Sequence, residues 1–421
     1  DTKINMFFLY QIIFTLIIFI SPILIYFRIL KNKEHKTRYK EKFSITSKKR
    51  IKGNLVWFHG ASVGEIQSII PLVENYEKDK TINQILITSS TLSSSKILEK
   101  FKFKKTIHQF YPLDHIYITS KFLRYWKPNI AIFIESEIWP CMFKELEKRK
   151  IPIVLLNARI TKKTFDKWMK LKNFTSEIFN KITIAYPQNL ETKYFLKKLK
   201  TNKVKTIGNL KFIENDNDKF NTISNKLKSQ FKTKKIWVAS STHSNEELFC
   251  AKTHIQLKKK IKNLVTIIIP RHIHRANKII SELESLNLKV TKHSSKNRNI
   301  ENTDVYLVDT FGETKKFHKI SCSVFLGGSI IKRGGQNPLE AARYGARILH
   351  GPNIDNFKDV YKALSSLKAS KKITSPNELA SLIIFKRNMN LGSKIKKIGG
   401  KILKETINEL DKLINNEFKK T

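Results

Sequence analysis

The sequence predicts an α/β protein: two doubly wound domains facing a cleft, behind an amino-terminal membrane helix. Three observations predict it. Phe7 to Leu30 is almost wholly apolar. Two later blocks alternate short β-branched runs with amphipathic stretches. A polar, lysine-rich segment from Glu214 to Lys235 parts the blocks. A chain of 421 residues exceeds one ordinary core, and 41% hydrophobic content fits a folded protein. The boundaries that follow are 1–30 for the anchor, 31–213 for the first domain, 214–235 for the linker and 236–421 for the second domain.

The apolar segment is interrupted by Gln11, Ser21-Pro22 and Arg28, and it has the roughly 20 residues needed to cross a bilayer. A basic run follows from Lys31 to Arg50, which the positive-inside rule keeps cytoplasmic. No small-residue cleavage site follows it, as a signal peptide would require. Pro22 and Arg28 leave a helix embedded in one leaflet as a second option. The expected location is the inner membrane, on its cytoplasmic face. The chain starts at Asp1, and Met6 is a candidate natural initiator.

The formal net charge of +45 favours anionic partners: an anionic membrane surface, an acidic substrate or nucleic acid. The lysines are spread along the chain, so compositional bias is the competing explanation. The chain carries no RNP motif, zinc finger or aromatic-interleaved basic strand, and no nucleic acid is expected. Cys141, Cys250 and Cys322 lie far apart, which excludes a disulfide framework and a CxxC zinc site.

In the first block, Leu55 to Phe58, Gln84 to Thr88, Ile130 to Ile134, Ile153 to Leu156 and Ile182 to Ala185 read as buried parallel strands. In the second, Ile236 to Ala239, Leu264 to Ile269, Val305 to Val308, Val324 to Leu326 and Arg347 to Leu349 repeat the pattern. Ligands of such sheets bind beyond the carboxyl ends of the strands. After the first strand comes His59-Gly60-Ala61-Ser62-Val63-Gly64-Glu65, so Glu65 stands on a glycine turn at a helix start. Its alternative role is compensation of the helix dipole. Glu135-Ser136-Glu137-Ile138-Trp139-Pro140 follows Ile134. Lys211 lies in Gly208-Asn209-Leu210-Lys211-Phe212 near the expected hinge, and by itself it signals nothing in so lysine-rich a chain.

In the second block the strand ends are Ser240-Ser241-Thr242-His243, Pro270-Arg271-His272, Asp309-Thr310-Phe311-Gly312-Glu313 and Gly327-Gly328-Ser329. Four small, polar or cationic ends in one sheet suit a nucleotide–phosphate site, with Arg271 as the charged partner. Arg333-Gly334-Gly335-Gln336-Asn337-Pro338-Leu339-Glu340 opens a helical pattern, with Asn337 as N-cap, Pro338 at the first helical position and Glu340 placed for ribose hydroxyls. The turn amides of Gly327 to Ser329 and the helix start are expected phosphate donors.

Taken in this order, Ser62-Val63-Gly64-Glu65, Glu137-Ile138-Trp139-Pro140, Asn157-Ala158-Arg159, Ser241-Thr242-His243, Pro270-Arg271-His272 and Arg333 to Glu340 resemble the 3-deoxy-D-manno-oct-2-ulosonic acid (Kdo) transferases of lipopolysaccharide assembly. The resemblance runs from the membrane-proximal start through Asn356-Phe357-Lys358-Asp359. It implies two Rossmann-like domains of the GT-B type, the acceptor bound by the first and the sugar nucleotide mainly by the second. It implies Kdo transfer from CMP-Kdo to a lipid A precursor, with inversion and with neither metal nor other cofactor. By motif, Glu65 is similar to the general base, and Glu137 and Lys211 to auxiliary catalytic residues. Pro270, Arg271, Phe311, Gly312, Glu313, Asn337, Pro338, Leu339 and Glu340 are similar to the CMP site. The chain departs from the pattern at Ile273-His274-Arg275, where the family usually has proline and glutamate, and at Glu135 and Ile138. The only DxD-like run, Asp216-Asn217-Asp218, falls in the linker. Two alternatives stay open: another membrane-bound GT-B transferase using a UDP sugar, and a basic nucleic-acid-binding protein.

Overall fold

A computed structural model describes residues 6–213, 222–296 and 298–420. The chain divides into two compact units, Asp1–Asn215 with Gly399–Thr421, and Asp216–Ile398.

The first unit is built on six parallel strands: β1 (Leu55–His59), β2 (Gln84–Ser89), β3 (Thr106–Phe110), β4 (Ile130–Ile134), β5 (Ile153–Ala158) and β6 (Ile184–Pro187), in the order β3-β2-β1-β4-β5-β6. β1, β2, β4 and β5 are buried along their whole length, which is why their central residues are apolar runs. Helices cross between the strands. In Val63–Tyr76, the residues Ile66, Ile69, Ile70, Val73 and Tyr76 form one buried stripe at helical spacing. The strand order reverses between β1 and β4, the switch point at which open α/β sheets bind ligands.

The second unit has seven parallel strands: β7 (Lys235–Thr242), β8 (Leu264–Pro270), β9 (Val290–Lys292), β10 (Val305–Leu307), β11 (Ser323–Leu326), β12 (Arg347–His350) and β13 (Ser370–Lys372), in the order β13-β12-β11-β7-β8-β10-β9. Its switch point lies between β7 and β11.

Three strands fall outside the sequence expectation. β3, β9 and β13 are sheet edges, and Thr106, Ile107, all of β9, and Lys371 and Lys372 are at least partly open to solvent. With one flank unpaired, an edge strand lacks the continuous apolar run that marks a central one.

The domain boundaries also shift. Asn225–Lys232, in the expected linker, is a helix of the second unit that buries Leu227 and Phe231. Residues 214–221 of the linker, with Asp216-Asn217-Asp218, lie outside the described residues, as do residues 1–5. Gly399 onward, within the helix Met389–Phe418, belongs to the first unit rather than the second. A side chain at Gly399 would come within 2.2 Å of the Phe212 carbonyl oxygen, so only glycine lets the helix lie against that turn.

The apolar segment forms the helix Met6–Leu30. It is not independent of the first unit's core. Phe7 is buried in that core, with Met6 and Tyr10 packed beside it. The Tyr10 hydroxyl donates to Asp114 Oδ2 at 2.7 Å, and Asp114 also accepts from the amides of Cys141 and Met142. Further along, Ser21 and Ile25 are buried while Phe8, Ile12, Phe19, Ile23 and Phe27 stay exposed. A fully buried phenylalanine stabilises by about 1.5–3 kcal/mol. The amino end of the helix is therefore part of the fold, and deleting residues 1–30 would expose core.

Candidate active site

The residues at the first switch point come from three chain regions. Gly60 and Ala61 turn the chain out of β1, and Ser62 caps the helix Val63–Tyr76. Glu65 folds back in a capping box: its Oε1 accepts from the Ser62 hydroxyl at 2.7 Å, and its Oε2 from the Ala61 amide at 2.8 Å. A methyl at Gly60 would sit 3.1 Å from Glu65 Cβ, so glycine there clears the way for the carboxylate. The capping alternative is thus real, but it is not the whole of the environment. Burial, resisted by the Ser62 hydrogen bond and aided by the charges of Glu137 and Glu135, raises the Glu65 carboxyl to about 7. A carboxyl poised there exchanges a proton at neutral pH.

β4 delivers the other two carboxylates. Glu135 has a left-handed backbone, φ 56°, and its Oε1 lies 2.8 Å from Lys211 Nζ, with both side chains largely buried. Lys211 is held on a short 3-10 turn, Leu210–Phe212, capped by the Asn209 side chain. The Asn157 side chain accepts from the Leu210 amide at 3.0 Å, which ties that turn to the end of β5. Glu137 is gripped at one oxygen: Oε2 lies 3.0 Å from His59 Nε2 and 2.9 Å from Trp139 Nε1. The structure thus gathers Glu65, Glu137, Glu135 and Lys211 at one end of one sheet. His59 and Trp139 completed this cluster without being assigned a role from sequence. Their signal lay in position, since His59 is the last residue of β1 beside Gly60.

The second unit differs from expectation at its glycine turn. The amides of Gly328, Ser329 and Ile330 all donate to the carboxylate of Glu246, at 2.7, 3.1 and 3.0 Å, and His243 N donates to it at 3.0 Å. The backbone nest that was expected to hold a phosphate holds the protein's own buried carboxylate. The helix start is also weaker than expected. The helix is only Leu339–Ala342, with Pro338 at the cap position, and Asn337 Oδ1 accepts from the Leu339 amide at 3.1 Å. Four residues develop little macrodipole.

Cationic side chains remain at these strand ends. Arg271, directly after Pro270, and Arg333 are exposed. The ring of His243 lies 5.5 Å from that of His272, and burial, then His272, Arg333 and Arg271, push the His243 imidazole below its usual range. Phe311 is 79% exposed and Gly312 has φ 84°. Glu313 pairs with Lys316 at 3.0 Å and stands just before the helix Thr314–His318, with no capping hydrogen bond from its side chain. Leu339 is buried, and Glu340 is partly exposed. Arg275, in the departing motif, pairs with fully buried Glu247 at 3.0 Å, so its role is structural. A cavity of about 550 Å³ lies at the opposite, amino-terminal ends of β7 and β11, away from these groups. Among the described residues, no three His, Cys, Asp or Glu side chains gather as a metal site.

Residues 37–214 match the sequence family described as 3-deoxy-D-manno-octulosonic-acid transferase (kdotransferase). The chain is 34% identical to the 3-deoxy-D-manno-octulosonic acid transferase of Rickettsia bellii, over 92% of each chain. The chain belongs to the Kdo transferase family. The enzyme of that name from Haemophilus influenzae is 30% identical over 76% of each chain. This chain is accordingly a glycosyltransferase of lipopolysaccharide biosynthesis. In fold it is similar to the UDP-GlcNAc 2-epimerase of Neisseria meningitidis bound to UDP-GlcNAc, with TM-score 0.56 and 14% identity over 85% of this chain and 100% of that one. This likeness concerns the fold alone, two parallel-sheet α/β domains of the GT-B kind.

Proposed function

We propose that this Kdo transferase moves Kdo from CMP-Kdo to a phosphorylated lipid A precursor, with inversion and without a metal, at the cytoplasmic face of the inner membrane. The observation that carries the proposal is the Glu65 carboxyl, raised to about 7 at the switch point of the first sheet. A sugar hydroxyl is a poor nucleophile unless its proton leaves as it attacks. Glu65 takes that proton when the acceptor hydroxyl replaces the Ser62 hydroxyl at its Oε1. One base acting opposite the leaving phosphate gives inversion. Glu137 and the Lys211–Glu135 pair act beside it as the auxiliary groups.

Departure of CMP builds negative charge on phosphate and oxocarbenium character on the sugar. Arg271 and Arg333, both exposed at strand ends of the second unit, are the cations offered to that phosphate. The amides of Gly327 to Ser329 have no part in this scheme, since Glu246 occupies those of Gly328 and Ser329. Pro270, Phe311, Gly312, Glu313, Asn337, Pro338, Leu339 and Glu340 remain the proposed surroundings of the nucleotide.

The membrane partner is supported by the exposed apolar face of Met6–Leu30 and by exposed Lys31, Lys33, Lys36, Lys40, Lys48 and Lys49 beside it. Other cations of that run serve the fold: Lys42 pairs with Glu34 and Arg38 with Glu41. The test is incubation of the full chain with CMP-Kdo and a tetraacyl lipid A precursor, read by product mass. A product one Kdo heavier, or several, is expected. Transfer from a UDP sugar and none from CMP-Kdo would overturn the proposal.

A further inference from the structure

We propose that His59 is a positioning residue of the transfer reaction: it holds one oxygen of Glu137 and leaves the other turned free for the substrate. The inference rests on the Kdo-transfer proposal for its kinetic part and on geometry alone for the rest.

The ring of His59 is held at both of its nitrogens. Trp57 Nε1 donates to Thr88 Oγ1 at 2.9 Å, and an indole N–H has no other role. The Thr88 hydroxyl must then send its own hydrogen elsewhere. Its neighbours there are His59 Nδ1 at 3.0 Å and the Phe58 carbonyl at 3.5 Å, while Nδ1 also lies 3.1 Å from the Thr88 carbonyl oxygen, so Nδ1 is fixed between two oxygens of Thr88. On the other side of the ring, Nε2 lies 3.0 Å from Glu137 Oε2. Trp139 Nε1 donates to the same oxygen. Oε2 is thus held twice, while no donor among the described residues reaches Oε1.

The ring itself cannot turn. His59 is fully buried, stacked at 3.8 Å on Tyr111 and edge-on to Phe133 at 5.6 Å. The groups facing this network are few: Glu65 and Glu135, whose carboxylates act on one another, and Tyr111, whose hydroxyl is buried and pushed well above its usual range. The chain Trp57–Thr88–His59–Glu137 links the interior of β1 and β2 to the turn after β4. A supporting shell of this kind is what keeps a reacting group within a fraction of an ångström of its place.

Two arms test it, both on the full chain in detergent. In the first, the Trp139 indole N–H is followed by 15N NMR in tryptophan-labelled protein, which has five such signals, with Trp139→Phe to assign it. In wild type it should be one sharp signal at fixed pH. In His59→Phe it should shift or broaden, because the carboxylate that accepts from it has lost the ring holding the same oxygen. In the second arm, His59→Phe should lower kcat of Kdo transfer about 10–100-fold with KM changed less than threefold. His59→Gln, which keeps a donor near Nε2, should recover most of kcat. Thr88→Val, which removes the hydroxyl beside Nδ1, should lower kcat less, by up to about tenfold. If His59→Phe and Thr88→Val lower only the thermal midpoint, or if His59→Gln is as poor as His59→Phe, the proposal is overturned. A Trp139 signal that shifts in His59→Phe, in a protein that transfers no Kdo, would uphold the orientation by His59 and overturn the function instead.

Discussion

At both switch points a glycine turn meets a glutamate from the helix that follows the first strand, and the two glutamates end up different in kind. Glu246 is 1% exposed and accepts from four backbone amides. Glu65 is partly exposed, accepts from one amide and one hydroxyl, and sits near two further carboxylates. A carboxylate that accepts from four backbone amides is fixed in place by them. One with few donors, partial burial and like charges nearby becomes a proton acceptor near neutrality. The deciding quantity is how many amides aim at the carboxylate, not the glycine content of the turn.

The comparison is broken most severely at Glu65. Glu65→Gln should cost about 10²–10⁴ in kcat with folding and CMP binding intact, the usual loss for a general base. Transfer near the wild-type rate would end its role as base. In wild type, kcat/KM should fall as the pH drops through about 7, where Glu65 takes up its proton, and that limb should vanish from the residual activity of Glu65→Gln.

Glu246→Ala tests the other side. Four amides would lose their acceptor, and a denaturant melt of the second unit should show a loss of about 3 kcal/mol. Unchanged stability together with tighter CMP binding would mean that the nest is a phosphate site after all.

Arg271→Ala should come next in size. Removing one charged donor should weaken CMP about 10–100-fold in calorimetry and cytidine much less. Equal losses for both ligands would contradict a phosphate role. The smallest effect is expected from EDTA, which should leave transfer within experimental error. Abolition by chelation with rescue by Mg²⁺ would show that arginine side chains do not suffice at the leaving phosphate.

A separate consequence concerns Asp114. Its carboxyl is raised by burial to about 6 although Tyr10, Cys141 and Met142 donate to it. A raised carboxyl stabilises the fold fully at low pH, and that contribution is lost as pH rises from 3.8 through 6. The amino helix should therefore be held more firmly at pH 5 than at pH 8, by a protection difference measurable in hydrogen exchange.

The amino-acid sequence by itself determined the two sheets, the central strands and the strand-end motifs. Buried parallel strands must be continuous apolar runs, and each run must be followed by a turn. It determined that Glu65, Glu137 and Lys211 stand at turns of the first unit, because local chain order is enough to say so. Only the tertiary structure decided their partners. Lys211 meets Glu135, and His59 meets Glu137, across 76 and 78 residues of chain, through strand order and the register of β1 on β4. The same holds for Glu246, which fills a turn more than 80 residues away. It holds for Gly399, whose missing side chain returns the last helix to the Lys211 turn. Hydrogen bonding is satisfied in three dimensions, and whichever acceptor reaches a buried N–H first in space takes it. That is why the turn was legible in sequence and its occupant was not.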